Sequence, residues 1–119
     1  MSVTRNEVDA VCRDLPGAEA AVPPELVSWK VGGKMFACFG SKDGGQGVSV
    51  KTDHVDTAAL LIDAGAAVRA PYFHKSGGRL PFDTTAHDEM RHRVIVSYDI
   101  IRKSLPKALR AGLAARQEG

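Results

Sequence analysis

Cysteines, histidines and the short run His87-Asp88-Glu89 are the residues of this chain whose side chains suit catalysis or metal binding. Cys12 and Cys38 lack CxxC spacing, and neither has a sequence-near base that would mark an activated thiol. The histidines show neither the HExxH pattern nor the paired Cys/His spacing of zinc sites. They are His54, His74, His87 and His92. The sequence therefore predicts no catalytic residue, no metal and no cofactor, and a chain that is not an enzyme.

Two glycine-rich segments invite comparison with phosphate-binding loops. A Walker loop requires Gly-x-x-x-x-Gly-Lys-Ser/Thr at the start of a helix. Gly44-Gly45-Gln46-Gly47 is followed by the alternating strand pattern Val48 to Lys51, and Gly32-Gly33-Lys34 also leads into a strand pattern. Both segments are therefore interpreted as hairpin tips.

Basic residues near the predicted hairpin tips are the remaining chemical feature. Flexible ammonium groups on projecting loops can contact phosphates without reading base sequence. The alternative is that these cations only keep exposed turns soluble. The candidate residues are Lys30, Lys34, Lys42, Lys75 and Arg79.

The charge distribution is uneven along a chain with a net charge of +2. Residues 1–65 contain six Lys/Arg and nine Asp/Glu, whereas residues 66–119 contain ten and five. An excess of positive charge favours an anionic partner, although solvated helix surfaces give the same pattern. A length of 119 residues predicts a single domain, 1–119. No apolar run is long enough for a membrane span and the start lacks a secretory pattern, so a cytoplasmic protein with reduced cysteines is expected.

The elements that position these residues follow from local patterns. Thr4-Arg5-Asn6-Glu7 predicts a capping box and a helix over about 4–14. Gly32-Gly33 between apolar runs predicts a type I′ hairpin that pairs Trp29 with Phe36 on the face toward the helices. The opposite face is predicted to be fairly apolar and to need a cover from another element or a second subunit. Its predicted residues are Leu26, Lys30, Met35, Ala37 and Phe39.

The remaining pattern gives a second hairpin strand at 48–51, a helix at about 54–64 capped by Asp53, and a strand from Val68 to Phe73. Ser76-Gly77-Gly78 is predicted as a turn before a short strand, 79–82. A helix at about 86–104 carries a buried stripe, formed by Met90, Val94, Tyr98, Ile101 and Leu105. The order α-β-β-β-α-β-β-α predicts a two-layer α+β fold, with helices packed on one face of an antiparallel sheet.

Four short motifs follow one another along the chain. They are Leu15-Pro16-Gly17-Ala18, Lys30 to Ala37, Ala70-Pro71-Tyr72 with His74-Lys75, and Ser97-Tyr98 with Leu105-Pro106-Lys107. In this order they resemble the motifs of the MmcQ/YjbR-like family of small bacterial α+β proteins. This family usually carries a tryptophan after the third motif, where this chain has Gly77-Gly78-Arg79. The resemblance implies a secretion-chaperone-like fold and DNA binding in which hairpins act as a double wing.

Resemblance and charge together predict a non-enzymatic domain that binds duplex DNA weakly and without sequence preference through the basic hairpin tips. The alternative is a protein-interaction or chaperone-like module, with a protein partner or a second copy on the apolar outer sheet face. Neither alternative involves a membrane.

Overall fold

The computed structural model describes residues 3–22, 27–40, 46–70 and 72–111. Its four helices are α1 (Arg5–Arg13), α2 (Val55–Asp63), α3 (His87–Ser104) and α4 (Lys107–Ala111). Its strands are β1 (Ala18–Ala21), β2 (Val27–Val31), β3 (Lys34–Gly40), β4 (Gly47–Lys51), β5 (Val68–Arg69) and β6 (Gly77–Pro81), and a 3₁₀ turn, His74–Ser76, precedes β6. The strands form one antiparallel sheet in the order β1-β2-β3-β4-β6-β5.

The predicted α+β class and element order are confirmed. The segment after the first helix, which was expected only to be extended, forms the additional edge strand β1. Of the predicted strand from Val68 to Phe73, only Val68 and Arg69 pair with the sheet. Within the described helices, none combines the length and the apolar composition needed to cross a lipid bilayer.

Helix α1 begins as the sequence predicts, because the Glu7 amide donates to the Thr4 hydroxyl at 3.2 Å. The Glu7 carboxylate lies 2.7 Å from His87 Nδ1 and so links the starts of α1 and α3. Helix α2 differs from the prediction, since His54 rather than Asp53 is its N-cap and accepts from the Asp56 amide. A hydrogen bond from Thr57 instead lowers the pKa of the Asp53 carboxyl.

The β2–β3 hairpin pairs differently from the prediction because its register shifts twice: β3 contains a bulge opposite Trp29 and Lys30, and a second shift lies between Val27 and Ser28. Val31 pairs with Lys34 as expected, but Trp29 pairs with Ala37, which leaves Phe36 as the extra residue. The bulge changes which side chains face the helices beyond this point. Ala37 and Phe39, predicted on the outer face, belong to the core, while Cys38 pairs with Ser28 outside the main cluster.

Trp29 and Phe36 of this hairpin are both buried, as predicted. Trp29 is 6% exposed and donates from Nε1 to Asp9 of α1 at 2.8 Å, and Phe36 is fully buried. The Phe36 ring packs edge-on against Tyr98, with ring centroids 5.3 Å apart. The predicted stripe of α3 is confirmed, since all five of its members are buried.

The outer sheet face is not the apolar surface that the sequence predicted. One row of paired residues crosses all six strands, and it consists mainly of small side chains. The row is Ala21, Ser28, Cys38, Ser49, Arg79 and Val68. The first four of these residues are buried. Along this row, the described residues therefore differ from the large apolar side chains that the sequence predicted for the outer face.

The hydroxyl group of Ser97 connects α3 to the sheet through two hydrogen bonds. Ser97 Oγ donates to the Phe36 carbonyl at 2.5 Å and accepts from the Lys51 amide at 2.9 Å. Strands β3 and β4 share only two registered pairs, Ala37 with Val50 and Cys38 with Ser49. The next residues along the two strands are Phe36 and Lys51, and the Ser97 hydroxyl connects their backbone groups in place of a direct hydrogen bond.

We expect Ser97→Ala to lower the free energy of unfolding by about 2–4 kcal/mol, because two buried backbone groups lose their partner. Ser104→Ala is the matched control, since the Ser104 hydroxyl bonds only to Ile101 of its own helix at an exposed position. Urea denaturation of both variants tests the prediction. Equal midpoints for the two variants would contradict it.

Candidate nucleic-acid interface

Two of the predicted cations flank the β2–β3 turn. Gly32 and Gly33 have φ angles of 57° and 83°, so both adopt the left-handed conformation that a type I′ turn requires. Lys34 follows the turn and is exposed. Lys30 precedes it, is half-buried and pairs in register with Glu19 of β1.

The same turn packs against the junction of α3 and α4. A Cβ atom on Gly32 would lie 2.7 Å from Leu105 Cδ1, so the turn backbone touches a side chain that is itself buried. No atom lies within 4 Å of the corresponding position on Gly33. The hairpin tip therefore lies beside the C-terminal end of α3.

Further charged residues surround this junction. One shallow depression of about 280 Å³ is lined by three cations, Arg102, Lys103 and Arg110, and by the acidic Asp99. Another cation, Lys107, begins α4. Cations near the C-terminus of a helix are stabilised by its dipole, which explains their place on α3. We call the combined surface the basic end, which consists of Lys30, Lys34, Lys103, Lys107 and Arg110. Sequence reasoning missed its helical members because only the contact between Leu105 and Gly32 brings them to the hairpin.

Arg79 does not lie at a hairpin tip, contrary to the sequence prediction. Gly77 and Gly78, which were predicted as part of a turn, begin β6, so Arg79 lies in the middle of that strand opposite Ser49. Its Nη1 donates to the Phe39 carbonyl of β3 at 3.5 Å. Because β4 lies between β6 and β3, the side chain crosses the outer sheet face over Ser49. A cation held in this way is poorly suited to contact phosphates.

The two other predicted cations are also separate from the basic end. Lys75 is exposed in the 3₁₀ turn before β6 and lines a cleft beneath α2. Lys42 lies outside the described residues. Lys30 and Lys34 therefore flank one turn on opposite faces of the hairpin, and Lys75 and Arg79 lie on other elements.

The described residues show no convergence of catalytic groups. Cys12 and Cys38 are both buried free thiols. Burial, reinforced by the nearby Asp9 carboxylate, raises the pKa of the Cys12 thiol far above its usual value near 9. Over the described ranges, no three His, Cys, Asp or Glu side chains cluster in a way that suits a metal ion.

Substitution at the turn should separate conformational strain from crowding. Gly33→Ala should cost about 1–2 kcal/mol, because alanine is disfavoured at positive φ. Gly32→Ala should cost about 1–3 kcal/mol more, since its methyl group also overlaps Leu105 in a packed site. Chemical denaturation of both variants measures the difference, and equal losses would show that the Leu105 contact carries no energy.

The Cys12 thiol should make stability depend on alkaline pH. The unfolded thiol ionises near pH 9, whereas the folded thiol keeps its proton. Below pH 9 the thiol makes its full contribution to the free energy of unfolding. Above pH 9 this contribution falls by up to about 1.4 kcal/mol per pH unit. Urea unfolding of wild type and Cys12→Ala between pH 8 and about 10.5 tests this. The variant should show the shallower decline, and parallel curves would contradict the prediction.

Comparison with known proteins agrees with the sequence motifs. The sequence pattern of the YjbR family matches residues 13–100, which is most of the chain. A search of curated proteins finds no match. The matched segment contains the hairpin, the whole six-stranded sheet and most of α3. The chain therefore belongs to the YjbR family.

Proposed function

We propose that this protein binds duplex DNA weakly and without sequence preference, through the basic end. The observation that carries the proposal is the contact between Gly32 and Leu105. It brings the hairpin turn, which Lys30 and Lys34 flank, beside the junction of α3 and α4 that carries the helical cations. The family resemblance to DNA-binding double-wing proteins supports the same proposal.

The composition of the basic end suits phosphate contact. Lys34, Lys103, Lys107 and Arg110 are all exposed. Two carboxylates, Glu19 and Asp99, lie at its margin, so positive charge is in excess. Long flexible cations from a turn and from helix ends can follow a phosphate backbone, but they offer no rigid element to read base edges.

The first test is the salt dependence of binding. Contact with four phosphates predicts that log K falls with log[KCl] at a slope of roughly −3.6. Two labelled duplexes of unrelated sequence should give the same slope and similar affinity in fluorescence anisotropy. A strong preference for one duplex, or no binding at low salt, would contradict the proposal.

Single substitutions locate the surface. Lys34→Ala and Lys103→Ala should each reduce the magnitude of the slope by about one. The matched control is Arg91→Ala, because Arg91 is an exposed cation at the opposite end of α3. If Arg91→Ala weakens binding as much as the other two variants, the basic end is not the binding surface.

A further inference from the structure

A cleft of about 550 Å³ opens between α2, β5 and the 3₁₀ turn, on a part of the molecule separate from the basic end. Its volume lies within the range of about 300–1,000 Å³ that is usual for small-molecule sites. The sheet order explains its position, because β5 and β6 form the edge of the sheet farthest from β1. Neither the family match nor the proposed function assigns a role to this cleft.

The cleft is mainly apolar on the side formed by α2. One stripe along the helix consists of Val55, Ala59 and Ile62, because successive members are four and then three residues apart. Ala70 and Gly77 contribute to the other wall. Val55 is 44% exposed, a large value for a branched apolar side chain beside a cavity. This lining suits the hydrocarbon part of a ligand.

Two cations line the same cleft. Arg69 comes from β5 and Lys75 from the 3₁₀ turn, and both are exposed. Over the described ranges, neither side chain forms an ion pair. Among the described lining residues, Asp56 is the single carboxylate, and it lies 3.5 Å from His54 Nδ1. These described residues therefore carry a net charge of +1, which matches a ligand with one negative charge.

The segment that carries Lys75 has a strained backbone. Phe73 has a φ of 68°, and among the described residues no other non-glycine residue has a positive φ. Gly77 closes the segment, where any Cβ would collide with the Tyr72 carbonyl. The Ser76 hydroxyl also donates to the Phe73 carbonyl at 3.0 Å. Backbone strain of this kind is concentrated at ligand clamps and active sites.

From the apolar stripe, the two cations and the strained segment, we infer that this cleft binds a small carboxylic acid with an apolar body. The carboxylate lies between the Arg69 guanidinium and the Lys75 ammonium, where charge-assisted hydrogen bonds hold it. The hydrocarbon part lies along Val55, Ala59 and Ile62. Because the basic end is not involved, this site can be present whether or not the protein binds DNA.

Octanoate is the probe for a first test, with octylammonium as its counterpart of opposite charge. In amide NMR spectra of the ¹⁵N-labelled full chain, octanoate should shift saturably the signals of α2, β5 and the 3₁₀ turn. Octylammonium should leave these signals unchanged at the same concentration. Equal effects of both ions, or octanoate shifts centred elsewhere, would overturn the inference.

Variants then identify the two components of the site. A double variant that combines Arg69→Gln and Lys75→Gln should weaken octanoate binding at least tenfold, since two charge-assisted contacts are lost. Lys103→Gln is the matched control and should bind octanoate as wild type does. Ala59→Phe should also weaken binding, because its ring occupies the cleft while both cations remain. Unaltered affinity in the double variant would overturn the inference, provided that its spectrum shows a native fold.

Discussion

The hydrogen bonds of Ser97 are the constraint on which the arrangement of this molecule depends. A strand pair normally satisfies its own backbone groups, but β3 and β4 are joined through two registered pairs and then through a side chain of α3. The helix is thus connected to the sheet by directional bonds as well as by apolar packing. Beside Ser97, Tyr98 packs on Phe36 and donates its hydroxyl to the Pro16 carbonyl at 2.5 Å. Two consecutive residues therefore fix the orientation of α3 and the loop after α1.

This fixed orientation determines which surfaces meet. Because α3 runs across β2, β3 and β4, its last turn reaches the hairpin turn, where Leu105 covers Gly32. The end of α3 and the hairpin turn then lie side by side. A helix held only by nonspecific apolar contact can rotate or slide, and this juxtaposition is then lost. The buried hydroxyl therefore contributes to the placement of charges about two helical turns away from it.

Local patterns in the sequence were sufficient for much of the fold. The Gly32-Gly33 turn, the Thr4 cap and the stripe of α3 each depend on residues close together in the chain, and all three were predicted correctly. The bulge at Phe36 was missed because it depends on the partner strand rather than on local spacing.

Prediction of the site was less complete for the same reason. The positions of Lys30 and Lys34 beside one turn followed from the Gly32-Gly33 pattern between them. The glycines near Arg79 were interpreted as a turn, whereas the structure uses Gly77 where the chain approaches the Tyr72 carbonyl. The cations of α3 and α4 join the hairpin only through a contact between residues 73 positions apart, which no local pattern reports.

The two edge strands also affect how copies of this protein meet in solution. Strand β1 has four residues and strand β5 has two, and each carries a charge, Glu19 on one and Arg69 on the other. Short charged edges are poor templates for pairing with a strand from another molecule. The central strands, which are richer in apolar side chains, are enclosed between them. The sheet is therefore protected against edge-to-edge growth and amyloid-like aggregation at both sides.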